Sequence, residues 1–284
     1  MKRSFIISIL LGIGITSMDA QLLWKISGNG LHSPSYLFGT HHLIPVAFLD
    51  SVPGLYKAFN ESDAVVGEVV ANNIETSELI RKAAIIPDKK TIKDFIAVDK
   101  YQQVDAELKS TLKIGLKELS IMHPSLILNL YEIELFKKLT GVYDDAQSDS
   151  YFQIAAAEKD KKVIGLETAD FQISMLFNSK SIQQQANKLT NSVLKKDSLS
   201  REFLMFNKLY KSGKLNDLDL LSQRTEKSTE SLNNIKRNSD WLKQLPTLMK
   251  SNSCFIAVEI THLPGDDGLI AGLLKAGYKV KPVE

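Results

Sequence analysis

Two histidines and two glutamates stand where short apolar runs give out. His42 follows the run in SYLFGTHHLIP, Glu68 comes near the end of AVVGEVV, Glu167 ends VIGLE, and His262 follows FIAVEIT. Neutral imidazoles offer nitrogen and carboxylates offer oxygen, so this set suits either a divalent ion or proton transfer to and from water. A lone histidine at such a place is more often a hydrogen-bonded structural ring, whereas two in matching positions favour chemistry. Glu68 lies among valines, where an unpaired carboxylate is costly, so it requires a partner. Glu167 precedes a helix start at Thr168 or Asp170 and divides between that helix N-terminus and the site.

The elements that must position these residues follow from hydrophobic period. Apolar β-type runs at 35–41, 63–70, 162–167, 254–261 and 278–283 are separated by long amphipathic patterns, chiefly at 74–142 and 181–250. Strands alternating with helices predict an α/β fold: a small, mixed, largely parallel central sheet with large helical insertions. Parallel strands put their carboxyl ends on one edge, where ligands bind in open α/β sheets, so the four residues should converge there. Two units share a plan. Residues 35–70 run strand, GTHH, a helix capped by Ser51, strand; residues 254–283 run strand, EITH, a helix capped by Asp267 and stopped by Gly277, strand. That plan aligns His42 with His262. A third unit opens at Asp149, read first as an N-cap, and leads through VIGLE to Glu167.

Composition narrows the classes. The chain has 284 residues, 44% hydrophobic and 24% charged, which are ordinary globular values. Lys2 and Arg3 precede the apolar run Phe5 to Ile15 and a small or polar stretch to Ala20. That order predicts a signal peptide over 1–20, an exported protein, periplasmic or secreted, and one domain over 21–284 with no stable membrane span. The formal charge of +2 is spread without a basic stripe, which argues against nucleic acid. Cys254 is alone in an apolar run, so neither a disulfide nor a thiolate metal cluster is available. Neither GxSxG nor a P-loop occurs, which removes those classes.

The segments WKISGNGLHSPSYLFGTHH, VVGEVV, DSYFQIAAAEKDKKVIGLET, RNSDW and FIAVEITHLPGDDGLIAGLLKAGYKVKPV resemble, in that order, the TraB/GumN family, which includes the Tiki metalloproteases and is grouped with erythromycin-esterase-like and ChaN-like proteins. The resemblance places the family's first GxxH motif on Gly39, Thr40, His41 and His42, its strand-end glutamate on Glu68, and its GLET segment on Gly165 to Thr168. The second GxxH motif falls on Glu259 to His262, and there Glu259 replaces the glycine. The resemblance implies a hydrolase of peptide bonds in which His42, Glu68 and His262 hold a divalent ion (Zn, Mn or Co). Glu167 or another carboxylate would then take a proton from water. Arg237 and Asn238, from RNSDW, are placed to clamp an anion or to brace a helix, and His41, Asp149 and Glu259 to support the site. Two alternatives stand beside this one: a metal-independent hydrolase of small esters using His and Glu, and a binding protein of the same fold whose activity Glu259 has impaired.

Overall fold

Six strands form one sheet: β1 (Leu23–Ser27), β2 (Ser35–Thr40), β3 (Ala64–Gly67), β4 (Lys162–Gly165), β5 (Cys254–Glu259) and β6 (Lys279–Pro282), in the order β4-β3-β5-β2-β1-β6. The computed structural model describes residues 22–70, 74–142, 148–225 and 228–283, and within them the side chains of all but 74–76, 149, 225 and 228–231. The predicted signal peptide therefore lies outside the described residues. β2 pairs with β5, and β3 with β4 and β5, in parallel; β1 runs antiparallel to β2 and β6. The sheet is thus the mixed, largely parallel one that the alternating pattern predicts. β1 is an addition to it, since LWKIS is short and its buried run is interrupted at Lys25.

Burial follows position in the sheet. Every residue of β2 and β3 is buried, as is SYLFGT's neighbour β5 up to Val258; strands covered on both faces carry continuous apolar runs. The edge strand β6 alternates instead, with Lys279 and Lys281 outward and Val280 inward, and outward lysines discourage pairing with a further strand.

Helices cover this sheet through stripes at three- and four-residue spacing. Leu55–Glu61 buries Leu55, Ala58 and Phe59, and Leu269–Lys275 buries Leu269, Ile270 and Leu273. The long helix Ser228–Ser251 buries Asn238, Trp241, Leu245 and Met249 along one face. A second apolar cluster lies among the inserted helices, built by Val104, Leu108, Ile127, Tyr131, Leu189 and Val193 among others.

The caps differ from expectation. Ser51 does not cap the helix at 55; its hydroxyl donates to Phe48 O (2.6 Å) and closes the 3-10 turn Val46–Ser51, while Gly54 occupies the N-cap. Gly268 rather than Asp267 precedes Leu269–Lys275, and Asp267 serves through its carbonyl, which accepts from Asn238. Thr168 does cap, accepting from Phe171 N at 3.2 Å, and Gly277, at φ 88°, ends the final helix.

Candidate functional site

The carboxyl ends of β2, β3, β4 and β5 converge as the parallel topology requires, and Arg237, from the long helix, lies where they meet. Its Nη2 donates to Glu68 Oε2 (2.6 Å) and Glu167 Oε2 (3.0 Å), and its Nε to Glu167 Oε1 (2.7 Å). Glu68 completes its shell with the backbone N–H of Glu259 (3.0 Å), and Glu167 with the indole of Trp241 (2.9 Å) and the amide of Gln172 (2.5 Å). The guanidinium also lies over the Trp241 ring, 4.8 Å from its centroid, an arrangement that favours a cation. Burial alone would raise the Glu68 carboxyl; the adjacent Arg237 charge holds it below its ordinary value, with the Glu259 backbone N–H adding to the effect. Burial likewise opposes the Arg237 charge, but Glu167 and Glu68 keep it protonated.

His262 is held in one tautomer. Asn238 Nδ2 donates to the carbonyls of His262 (3.3 Å) and Asp267 (2.9 Å), which fixes the amide so that Oδ1 faces His262 Nδ1 at 2.7 Å. An amide oxygen only accepts, so Nδ1 carries the hydrogen and Nε2 the lone pair. That lone pair meets Arg237 Nη1 at 3.1 Å. Burial pushes the imidazole down to about 4, against the pull of Glu68 and with the help of Arg237 and His42. The ring is neutral at ordinary pH and packs against Trp241 at 4.4 Å.

His42 is placed otherwise, although the two units align it with His262. Its side chain is 52% exposed, and its Nε2 lies 3.5 Å from Glu259 Oε2. The sheet explains the asymmetry. Parallel register sets Thr40, not Gly39, beside Glu259, so the two GxxH segments are staggered by one residue and their histidines leave the sheet differently. Gly39 is needed for close approach: a Cβ there would stand 2.1 Å from Ile260 Cδ1. Glu259 has φ −52° and ψ 135°, outside the left-handed region that favours glycine, so the departure from glycine adds a carboxylate without needing a glycine backbone.

His42 and Glu259 line a cleft of about 700 Å³ together with Leu126, Phe136, Phe177, Phe203 and Phe206. His41 also lines it, buried against Phe136, Phe206 and Tyr210. Thr40 is buried at the end of β2. Asp149 falls in the helix Ser148–Ala157, and its side chain lies outside those described. The structure therefore brings the expected residues into two adjoining groups. Glu68, Glu167, Arg237, Asn238 and His262 form a buried network, and His42 and Glu259 face the cleft.

A divalent ion on His42, Glu68 and His262 does not fit this arrangement. Arg237 takes a Glu68 oxygen and the His262 lone pair that such an ion would use, and a second cation beside the guanidinium would be repelled. Among the described residues no three His, Cys, Asp or Glu side chains are grouped to hold a metal.

Two supports escaped the sequence reading. Tyr210 donates to Gly39 O (2.8 Å) from 171 residues away, and Ser148 donates to His41 O (3.3 Å); no local pattern signals contacts so distant in sequence. The cleft walls escaped it as well, because helical spacing marks a buried face without saying what that face covers. Among the described residues no helix is long and apolar enough to cross a membrane. In comparison with known proteins, the sequence model of the TraB/PrgY/gumN family matches residues 22–282. No curated protein and no solved structure matches the chain.

Proposed function

The chain belongs to the TraB/PrgY/gumN family, and on that premise we propose that it is a hydrolase of ester or amide carbonyls in which His42 is the general base, oriented by Glu259, with no resident metal. The observation that carries this reading is the pair itself: an accessible imidazole 3.5 Å from a carboxylate that is only 17% exposed, both lining the cleft. Nε2 carries the ring hydrogen toward Glu259, which makes Nδ1 the nitrogen that takes a proton from water as the water oxygen attacks the carbonyl carbon. Glu259 stabilises the imidazolium so formed. The same imidazolium returns the proton to the departing alcohol or amine as the tetrahedral intermediate collapses. Arg237 contributes indirectly, pairing with Glu68 and Glu167, and Glu68 in turn holds the backbone N–H of Glu259. This chemistry is that of the metal-independent reading of the sequence, extended from small esters to amides.

The test is hydrolysis of an activated ester and an activated amide by the purified protein, with and without a strong chelator. Turnover should survive chelation, fall about 10²–10⁴-fold in His42→Ala, and fall less in Glu259→Gln, which keeps the shape and loses the charge. Activity that disappears on chelation and returns with added metal would restore the metal-dependent reading. Activity that persists in His42→Ala would refute His42 as the base, and absence of turnover on both substrates would favour the binding protein.

A further inference from the structure

The cleft does not end at the candidate site. A second cavity of about 430 Å³ adjoins it, sharing Ile80 and Leu126 as common walls and adding Ala84, Ile85, Ile121 and Met122. Ile85 and Ile121 are 51% and 52% exposed, and the backbones of Ile85 and Met122 are tied by an isolated bridge. Large apolar side chains gathered in a concave, pre-tied surface mark a binding site rather than ordinary exposure. Its one charged wall residue, Arg81, is held by both oxygens of Glu78 at 2.7 and 2.9 Å.

We propose that the second cavity is a subsite for the far end of an elongated, uncharged acyl chain whose carbonyl lies at His42; this rests on the hydrolase reading for the placement of the carbonyl. Two features commit it to that occupant. The candidate base stands in the first cavity, and the described walls of the second are apolar apart from Ser77 and the Glu78-bound Arg81, which suits the far end of a long chain and leaves half of the surface uncovered by a compact substrate. The charge pattern sets the second condition. Glu132, Glu202 and Glu259 line the first cavity, and among the described residues no lysine or arginine does. A neutral ester or amide enters such a cleft without opposition. The carboxylate released by hydrolysis stands beside carboxylates and is repelled, so the same charges that admit the substrate expel the acid product.

Competition against a neutral fluorescent naphthylamine probe tests this without requiring turnover. Across primary alcohols from butanol to dodecanol, affinity should rise about fourfold per methylene and continue to rise at the long end, and dodecanoate should bind at least tenfold more weakly than dodecanol. Ile85→Ser and Ile121→Ser, both at exposed positions, should flatten the long end while leaving butanol unchanged. A plateau at the same chain length in the wild type and both variants would overturn the subsite, as would dodecanoate binding as tightly as dodecanol. So would an apolar pentapeptide that displaces the probe where dodecanol does not. Turnover of nitrophenyl acetate, too short to reach the second cavity, reads the hydrolase proposal separately. Its absence with a steep chain-length series refutes the base and leaves the subsite, and its presence with a flat series does the reverse.

Discussion

Replacing Arg237 by methionine removes the one cation shared by Glu68, Glu167 and the His262 lone pair while keeping most of the side-chain volume. The guanidinium is 12% exposed and Glu68 and Glu167 are 18% and 7% exposed, so water cannot readily take its place. Loss of one partner from a buried ion pair costs about 3–5 kcal/mol, mainly because the remaining charge is left uncompensated. Two carboxylates are left here, which puts Arg237→Met at the upper part of that range. With about 2–4 °C per kcal/mol for a chain of this size, the melting temperature should fall by roughly 10 °C or more. The pH dependence gives a second, independent reading. In the wild type the Glu68 carboxyl is held below its ordinary value, so its contribution is present above the unfolded carboxyl pKa and is lost as pH falls through the lowered one. Without Arg237, burial raises that carboxyl instead, and protonation relieves the variant. The stability gap between the two proteins should therefore be widest near neutrality and narrow on acidification towards pH 4, as followed by urea unfolding at several pH values. Glu68→Gln in the Arg237→Met background should recover part of the loss. A gap below about 1 kcal/mol at neutral pH, or one that widens in acid, would refute the reasoning.

Other consequences follow from the same contacts. Gly39→Ala sets a Cβ 2.1 Å from Ile260 Cδ1, and such overpacking costs about 1–3 kcal/mol; Ile260→Val, which removes that atom, should restore most of the loss in denaturant unfolding, and failure to do so would place the strain elsewhere. His262 is pushed down to about 4 from 6.5, so below pH 6.5 the unfolded chain binds a proton that the folded chain refuses. Stability should decline from pH 6.5 to about 4 by on the order of 3 kcal/mol from this residue, and His262→Gln should show a shallower slope over that window. Equal slopes in the two proteins would mean that His262 titrates freely when folded.

The sequence makes legible the α/β class, five of the six strands and the polar residues at their ends, because these depend on local information. Period distinguishes strand from helix, a buried strand must be apolar along its length, and a polar residue that interrupts such a run near its end lies at the sheet's edge. It also showed that Glu68 among valines needs a partner, though not that the partner is Arg237, 169 residues on. Pairing at that distance is set by how the long helix lies across the strand ends, which no short window records. The division between His42 and His262 shows the same limit. Their motifs align residue for residue, yet a one-residue stagger between β2 and β5 leaves one ring exposed beside Glu259 and turns the other into a buried, neutral acceptor for Arg237. Side chains alternate faces along a strand, so a shift of one position changes what a residue meets. That shift, and the second cavity beyond Ile80 and Leu126, belong to the tertiary structure alone.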